Sequence, residues 1–197
     1  MSGRGFTLIE LMIVVAIVAI IAAISVPSLI RSRLVANEAA AIGAVKAFGN
    51  GQEMYRRTDW DGDGYLEYAK NIGPNGGRGN GESLYFNNRS NAAIELVEKS
   101  LADAEGDPGA PNVIAKCGYE FQMQLNMTWP RVRSFTDNAN NLMAGYGISA
   151  VPLRYDVTGI NKFQLSSDGV VYQNDTGDNV HMVSYDVNPA NGWLAAE

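Results

Sequence analysis

Between Phe6 and Ile30 the only formally charged side chain is Glu10. At helical rise these residues span about 37 Å, enough to cross a hydrocarbon core of roughly 30 Å. A helix that is apolar all round has to be covered by lipid or by other helices, so this stretch constrains the fold more than any other feature of the chain. One reading is a secretory signal peptide, with Arg4 as its basic start and Ala23 and Ser25 framing a small-x-small cleavage site. Glu10 argues for more than that. A carboxylate at the head of an apolar core is costly to insert, so it implies a partner charge or a role. Pro27 lacks an N–H, and its ring meets the carbonyl of Ala23. A kink, or a melted stretch, is therefore expected there.

Gly5, Phe6, Thr7, Leu8, Ile9 and Glu10, with the apolar residues that follow as far as Pro27, resemble the class III signal sequence of type IV pilins and type II secretion pseudopilins. The resemblance implies a leader, residues 1–5, removed between Gly5 and Phe6 by a prepilin peptidase on the cytoplasmic side, with N-methylation of the new terminal Phe6. Glycine at the cut suits a protease that needs unencumbered backbone, and Arg4 holds the leader in the cytoplasm. In a helical filament Glu10 of one subunit would meet the terminal amine of Phe6 on a neighbour. Stranding either charge costs about 3–5 kcal/mol for a buried pair, so the pair acts as a register device. In assembled pili of this class the residues before the matching proline, here roughly 19–27, are extended. Arg31 and Arg33 lie just beyond the apolar run on the side placed outside, so charge asymmetry sets orientation only weakly.

After Pro27, Ile30, Leu34, Ala41, Val45, Phe48 and Tyr55 recur at helical spacing, while Arg31, Glu38, Lys46, Glu53 and Arg57 lie off that stripe. The helix is expected over residues 6–57, with 6–30 as membrane span and filament core and with local weakness at Gly49 and Gly51. Residues 58–197 form a head large enough for one domain with a real core. The chain of 197 residues carries formal charge −6, or −7 once Arg4 is lost, which does not favour nucleic-acid binding. Cys117 is the only cysteine, so no disulfide can form within one chain. A buried, inert thiol is expected. Many pilins close a carboxy-terminal loop with a cysteine pair, so this chain needs another staple.

Within the head, residues 71–83 read as a glycine-rich surface loop, without the strand, Gly-Lys-Ser/Thr and helix of a phosphate-binding loop. Residues 90–104 have the pattern of a short second helix. Residues 118–127 alternate as a half-buried strand, and residues 146–155 read as another in which Pro152 suggests an edge or a bulge. Residues 163–172 look like a hairpin turning at Ser167, Asp168 and Gly169, and the tail is loop-rich with Trp193 turned back on the sheet. The expected fold is therefore α+β: a long amino-terminal helix packed on an antiparallel sheet, which resembles the pilin lollipop. Residues 168–172, with Gly145, Tyr146 and Gly147 upstream, also resemble the end of a group of bacterial prepilin-like proteins.

Asp59, Asp61, Asp63 and Glu67 place four carboxylates within nine residues, with Gly64 where an EF-hand loop turns sharply. Oxygen ligands at alternate positions suit Ca²⁺, with Tyr65 offering its backbone carbonyl. Lys70 stands where the bidentate Glu would close such a loop, so affinity should be modest, or Asp175 and Asp178 must complete the shell. The plainer alternative is a solvated acidic turn.

His181 is the only histidine, which excludes a histidine-ligated zinc cluster, and no Gly-x-Ser-x-Gly occurs. An enzyme is not expected. The leading expectation is a structural subunit of a type IV pilus or pilus-like filament, held in the inner membrane as a precursor and then extracted into an extracellular filament. Its partners would be copies of itself, the prepilin peptidase and an assembly machine. A pseudopilin of a type II secretion system, working in a periplasmic pseudopilus, or a minor pilin fits equally. The alternative of another class is an exported calcium-binding module. Adhesion and motility are not distinguished by the sequence. Tyr55, Trp60, Tyr65 and Tyr68 form an aromatic group for which core packing is the expected cause.

Overall fold

The structure is a computed structural model, and it describes residues 5–60, 62, 64–73, 83–87, 92–105, 114–128, 133–136, 142–182 and 184–196. The expected leader residues 1–4 and most of the glycine-rich loop 71–83 lie outside the described residues. Helix α1 runs over Leu8–Tyr55 and is the one helix among the described residues long and apolar enough to cross a membrane.

The remaining elements, in chain order, are β1 (Phe86–Asn87), β2 (Ala92–Ala93), α2 (Lys99–Asp103), β3 (Tyr119–Gln124), β4 (Asn126–Met127), β5 (Arg133–Ser134), β6 (Gly147–Pro152), β7 (Lys162–Ser166), β8 (Val171–Asn174), a 3-10 turn (Pro189–Asn191) and β9 (Leu194–Ala195). The main sheet is antiparallel throughout, in the order β3-β6-β7-β8-β9. Strands β1 with β2 and β4 with β5 form two small satellite pairs.

Alternation along the strands builds two different faces. On one, Phe121, Ala150 and Phe163 stand in register, as do Met123, Ile148, Leu165 and Val171. These residues form the core with Ala41, Ala44, Val45, Phe48 and Tyr55 of α1. Gly49 and Gly51 are buried and helical rather than weak points, because an added Cβ would stand 3.1 Å from Leu165 and from Val97 respectively. Their missing side chains let the sheet and the 84–97 segment close on the helix. Ile30 belongs to the stripe by spacing but is exposed, since the head reaches down only to Leu34.

The other sheet face is polar and yet covered. Gln122, Gln124, Ser149, Lys162, Gln164 and Ser166 are buried there, so the alternating strand is enclosed on both sides rather than half-buried. The cover is the segment 178–187. Lys162 Nζ bonds to Asp178 and, at 2.7 Å, to the carbonyl of Val180. Gln124 Nε2 donates to the carbonyl of Met182 at 2.7 Å, and Asp186 N–H donates to Gln164 Oε1 at 3.0 Å. Tyr185 and Val187 then plug into the core. This polar strap is the staple that the absent disulfide called for.

Two further expectations are revised. Pro152 ends a strand that is interior: it pairs with Tyr119, while the pairing of β6 with β7 stops at Ala150, so the missing N–H breaks no ladder. Residues 90–104 give only the short α2, because Leu96 N–H bonds to the carbonyl of Leu84 and Glu95 N–H to that of Tyr85, holding the first part of the segment extended beside its neighbour. In the single chain α1 is helical through Pro27, and residues 19–27 are all exposed. The hairpin at residues 167–169 and the burial of Trp193 are as expected, and Gly169 adopts φ +76° in that turn.

Candidate functional site

Phe6 is 85% exposed, and the helix stays exposed on every side from Leu8 to Arg33. Its first turn is closed by a capping box. Thr7 Oγ1 accepts from Glu10 N–H at 3.3 Å. Glu10 Oε2 in turn accepts from Thr7 N–H at 2.9 Å and from Thr7 Oγ1–H at 2.7 Å. A carboxylate in the first turn also faces the positive end of the helix dipole. Both bonds fall on Oε2, which leaves Oε1 open to a further donor. Thr7 caps the helix, as Thr-x-x-Glu ahead of an apolar run signals, and the sequence analysis passed it over.

Gly5 is open, with nothing within 4 Å of where its Cβ would stand. Pro27 lines a shallow exposed hollow with Ile24, Ser28, Arg31, Ser32 and Val35. One turn above Pro27, the hydroxyl of Ser32 donates to the carbonyl of Ser28 at 3.0 Å.

The head is fixed to the helix just above that hollow. Asn37 Nδ2 donates to the carbonyl of Thr158 at 2.8 Å. Glu38 accepts from Ile160 N–H at 2.9 Å, from Asn161 N–H at 3.1 Å and from Asn161 Nδ2 at 3.3 Å. Tyr119 passes below Gly159 and donates to the carbonyl of Asn161 at 2.9 Å, a close approach that only glycine allows, since a Cβ there would meet the Tyr119 hydroxyl at 2.0 Å. Burial, helped by the Glu38 charge, pushes the Tyr119 hydroxyl well above its ordinary pKa.

In the acidic loop, Asp59 accepts from Gly62 N–H at 2.7 Å and from Gly64 N–H at 2.9 Å, with both glycines at positive φ. Asp61 and Asp63 lie outside the described residues. Tyr65 is exposed and Glu67 is buried. Among the described residues no group of three or more His, Cys, Asp or Glu is placed to hold a metal ion. Asp175 accepts from the Tyr155 hydroxyl at 3.0 Å, and Asp178 pairs with Lys162.

His181 lies in the strap, where Nδ1 is 3.1 Å from Ser149 Oγ and Nε2 is 3.7 Å from Glu120. Ser149 is 1% exposed and also bonds Gln124 and Gln122, so this trio packs the strap onto the sheet. Cys117 is exposed rather than buried, because a turn with φ 51° carries it outward. In the aromatic group, Tyr55 and Tyr68 are core residues and Trp60 donates to the carbonyl of Tyr55 at 3.0 Å, whereas Tyr65 is 57% exposed.

The family model described as "Protein of unknown function (DUF2950)" matches residues 24–195, and that of the prokaryotic N-terminal methylation motif matches residues 1–26. The chain is 42% identical over 101 residues to the Type IV major pilin protein PilA of Myxococcus xanthus, covering 51% of this chain and 43% of that protein. It is 44% identical over 55 residues to the Type IV wide pilus major component PilA4 of Thermus thermophilus, covering 28% of this chain and 42% of that protein. The chain thus spans less than half the length of either relative it matches. No solved structure matches it.

Proposed function

Because the chain belongs to the family described as "Protein of unknown function (DUF2950)" and is a prepilin-like protein by its methylation motif, we propose that it is a structural subunit of a type IV pilus or pilus-like filament. The observation that carries this reading is the fully exposed apolar rod from Leu8 to Ile30, with Glu10 at its start. Such a rod needs lipid before assembly and other helices after it.

The sequence of events follows from the residues. The precursor rests in the inner membrane. A prepilin peptidase cuts between Gly5 and Phe6, and Phe6 is N-methylated. In the membrane Glu10 is held by Thr7. On assembly Oε1 of Glu10 receives the Phe6 ammonium of a neighbouring copy, and the two buried charges cancel only when the copies are in register. An assembly machine supplies the extraction, and the filament stands outside the cell.

Amino-terminal sequencing and mass of the native product test this directly. Methylated Phe6 in filaments sheared from cells is expected. Glu10→Ala should leave membrane insertion intact and abolish filaments; abundant normal filaments from that variant would overturn the register role. A pseudopilin or minor pilin would show the same mature terminus in short or scarce fibres. An exported calcium-binding module would instead begin at Val26 or Met1.

We also propose a calcium ion at the 59–67 loop, with Asp59, Asp61, Asp63, Tyr65 and Glu67 as its ligands. The support is that the chain already wraps the Asp59 carboxylate through Gly62 and Gly64, as an oxygen-ligand loop requires. Melting of the full chain should shift upward with calcium and downward with chelator; an unchanged midpoint would count against the ion.

A further inference from the structure

We propose that Arg33 of one copy forms an ion pair with Asp156 of the neighbouring copy, giving the filament a second register point outside the apolar bore. The inference rests on the Glu10–Phe6 pairing set out above. Phe6 lies just ahead of α1, beyond the extended cap residue Thr7, so pairing it with Glu10 between parallel copies displaces one copy along the axis by about 6–9 Å. The same offset runs the length of α1. It raises Arg33 of the displaced copy to about the height of residues 37–39 of its neighbour.

At that height the neighbour presents a built loop. Asn37 holds Thr158, and the turn around it is fixed by its own bonds: Thr158 N–H to the Arg154 carbonyl at 2.9 Å, Arg154 N–H to Thr158 Oγ1 at 3.1 Å and Asp156 N–H to the Gly159 carbonyl at 2.9 Å. Asp156 stands at the exposed tip with φ 59°, a conformation that aspartate tolerates better than most residues.

Two other carboxylates bonded near this loop are taken. Glu38 is half-buried and accepts three hydrogen bonds from Ile160 and Asn161. Asp175 accepts from the Tyr155 hydroxyl. Among the described residues no ion pair involves Asp156, Arg31 or Arg33. Within its own copy Arg33 lies one turn below Asn37 and does not reach the loop as an ion pair, whereas the offset copy brings it level. Arg154 is a like charge in the same loop. Arg31 is two residues away, about 200° around the helix, and faces elsewhere.

The test is charge exchange in the full chain, expressed in cells that assemble it. Arg33→Glu and Asp156→Lys should each lower sheared filament by about tenfold or more, with membrane-held precursor and the Phe6 terminus unchanged, and the double exchange should restore most of it. Singles that assemble like the parent, or a double no better than the singles, would overturn the pair. As a check independent of how Asp156→Lys folds, Arg33→Cys and Asp156→Cys can be placed on separate Cys117→Ser chains and co-expressed as a minority with the parent. A disulfide-linked dimer in filaments, absent from the membrane precursor, is expected; filaments containing both variants without that dimer would refute the contact. Failure of the underlying reading looks different, since the parent itself would then lack filaments or the Phe6 terminus.

Discussion

Gln52 and the backbone of Ala69 form a closed pair: Nε2 donates to the Ala69 carbonyl at 2.9 Å, and Ala69 N–H donates back to Oε1 at 2.9 Å. Gln52 is fully buried in α1, so these two bonds tie the loop that follows the helix back onto it. Gln52→Leu would leave a buried N–H and a buried carbonyl unpaired, and should lower stability by about 2–4 kcal/mol. Denaturant unfolding of the full chain in detergent, followed by tryptophan fluorescence, measures it. A loss within error of zero would mean that the loop rearranges to satisfy both groups.

That pair also marks the limit of what the sequence displays. Phe48, Tyr55, Phe121, Met123 and Phe163 were readable as core because their spacing follows the helix or strand period. The strap, the Gln52–Ala69 pair and the Glu38 contacts with Ile160 and Asn161 join polar groups far apart in the chain, and periodicity carries no trace of them. Gly49 and Gly51 were misleading for a related reason: propensity reports the cost of a glycine in a helix, not the neighbour that needs the space. At the amino-terminal site Glu10 was evident from its charge and Phe6 from the motif, whereas Thr7 required reading the helix cap as well as the apolar run.

Thr7 yields its own prediction. With both of its bonds on Oε2, Thr7 decides where the Glu10 carboxylate waits. Thr7→Val removes the hydroxyl and should reduce filament yield with precursor still membrane-inserted, whereas Thr7→Ser should restore it. Quantified sheared filament separates the two, and equal yields from Val and Ser would remove the hydroxyl from the account.

The strap depends on Lys162, whose side chain is 3% exposed against 47% for Asp178. The hydrogen bond from Lys162, with the Val180 N–H, holds the Asp178 carboxyl below its ordinary value of 3.8. A lowered carboxylate contributes stability above 3.8 and loses it as pH falls through the folded-state value. Asp178→Ala should cost about 1–2 kcal/mol at neutral pH, allowing for solvent screening of the exposed partner, and should flatten the acid limb of the stability curve. Denaturation midpoints across acid pH test both.

Alkaline pH acts on the core. Burial raises the hydroxyls of Tyr119, Tyr146 and Tyr185 above the ordinary 10.0, with Glu38, Glu53 and Asp168 respectively adding to the effect. A raised tyrosine contributes stability in full below about pH 10 and loses it as pH climbs toward the folded-state value, by about 1.4 kcal/mol per pH unit for each such group. The chain should therefore unfold cooperatively above about pH 10, with tyrosinate absorbance rising in the same transition. Tyr119→Phe should make that limb shallower; tyrosinate appearing before unfolding would contradict the burial.

Helix α1 runs unbroken from Leu8 to Tyr55, and the Asn37 and Glu38 contacts clamp the head to one side of it. Each residue of a helix turns about 100°. The compass bearing of the head relative to Phe6 and Glu10 is thus written in a residue count. Adding or deleting a single amino acid in the bare stretch between Ile30 and Leu34 would swing the entire head through more than a quarter circle while leaving every contact inside it untouched.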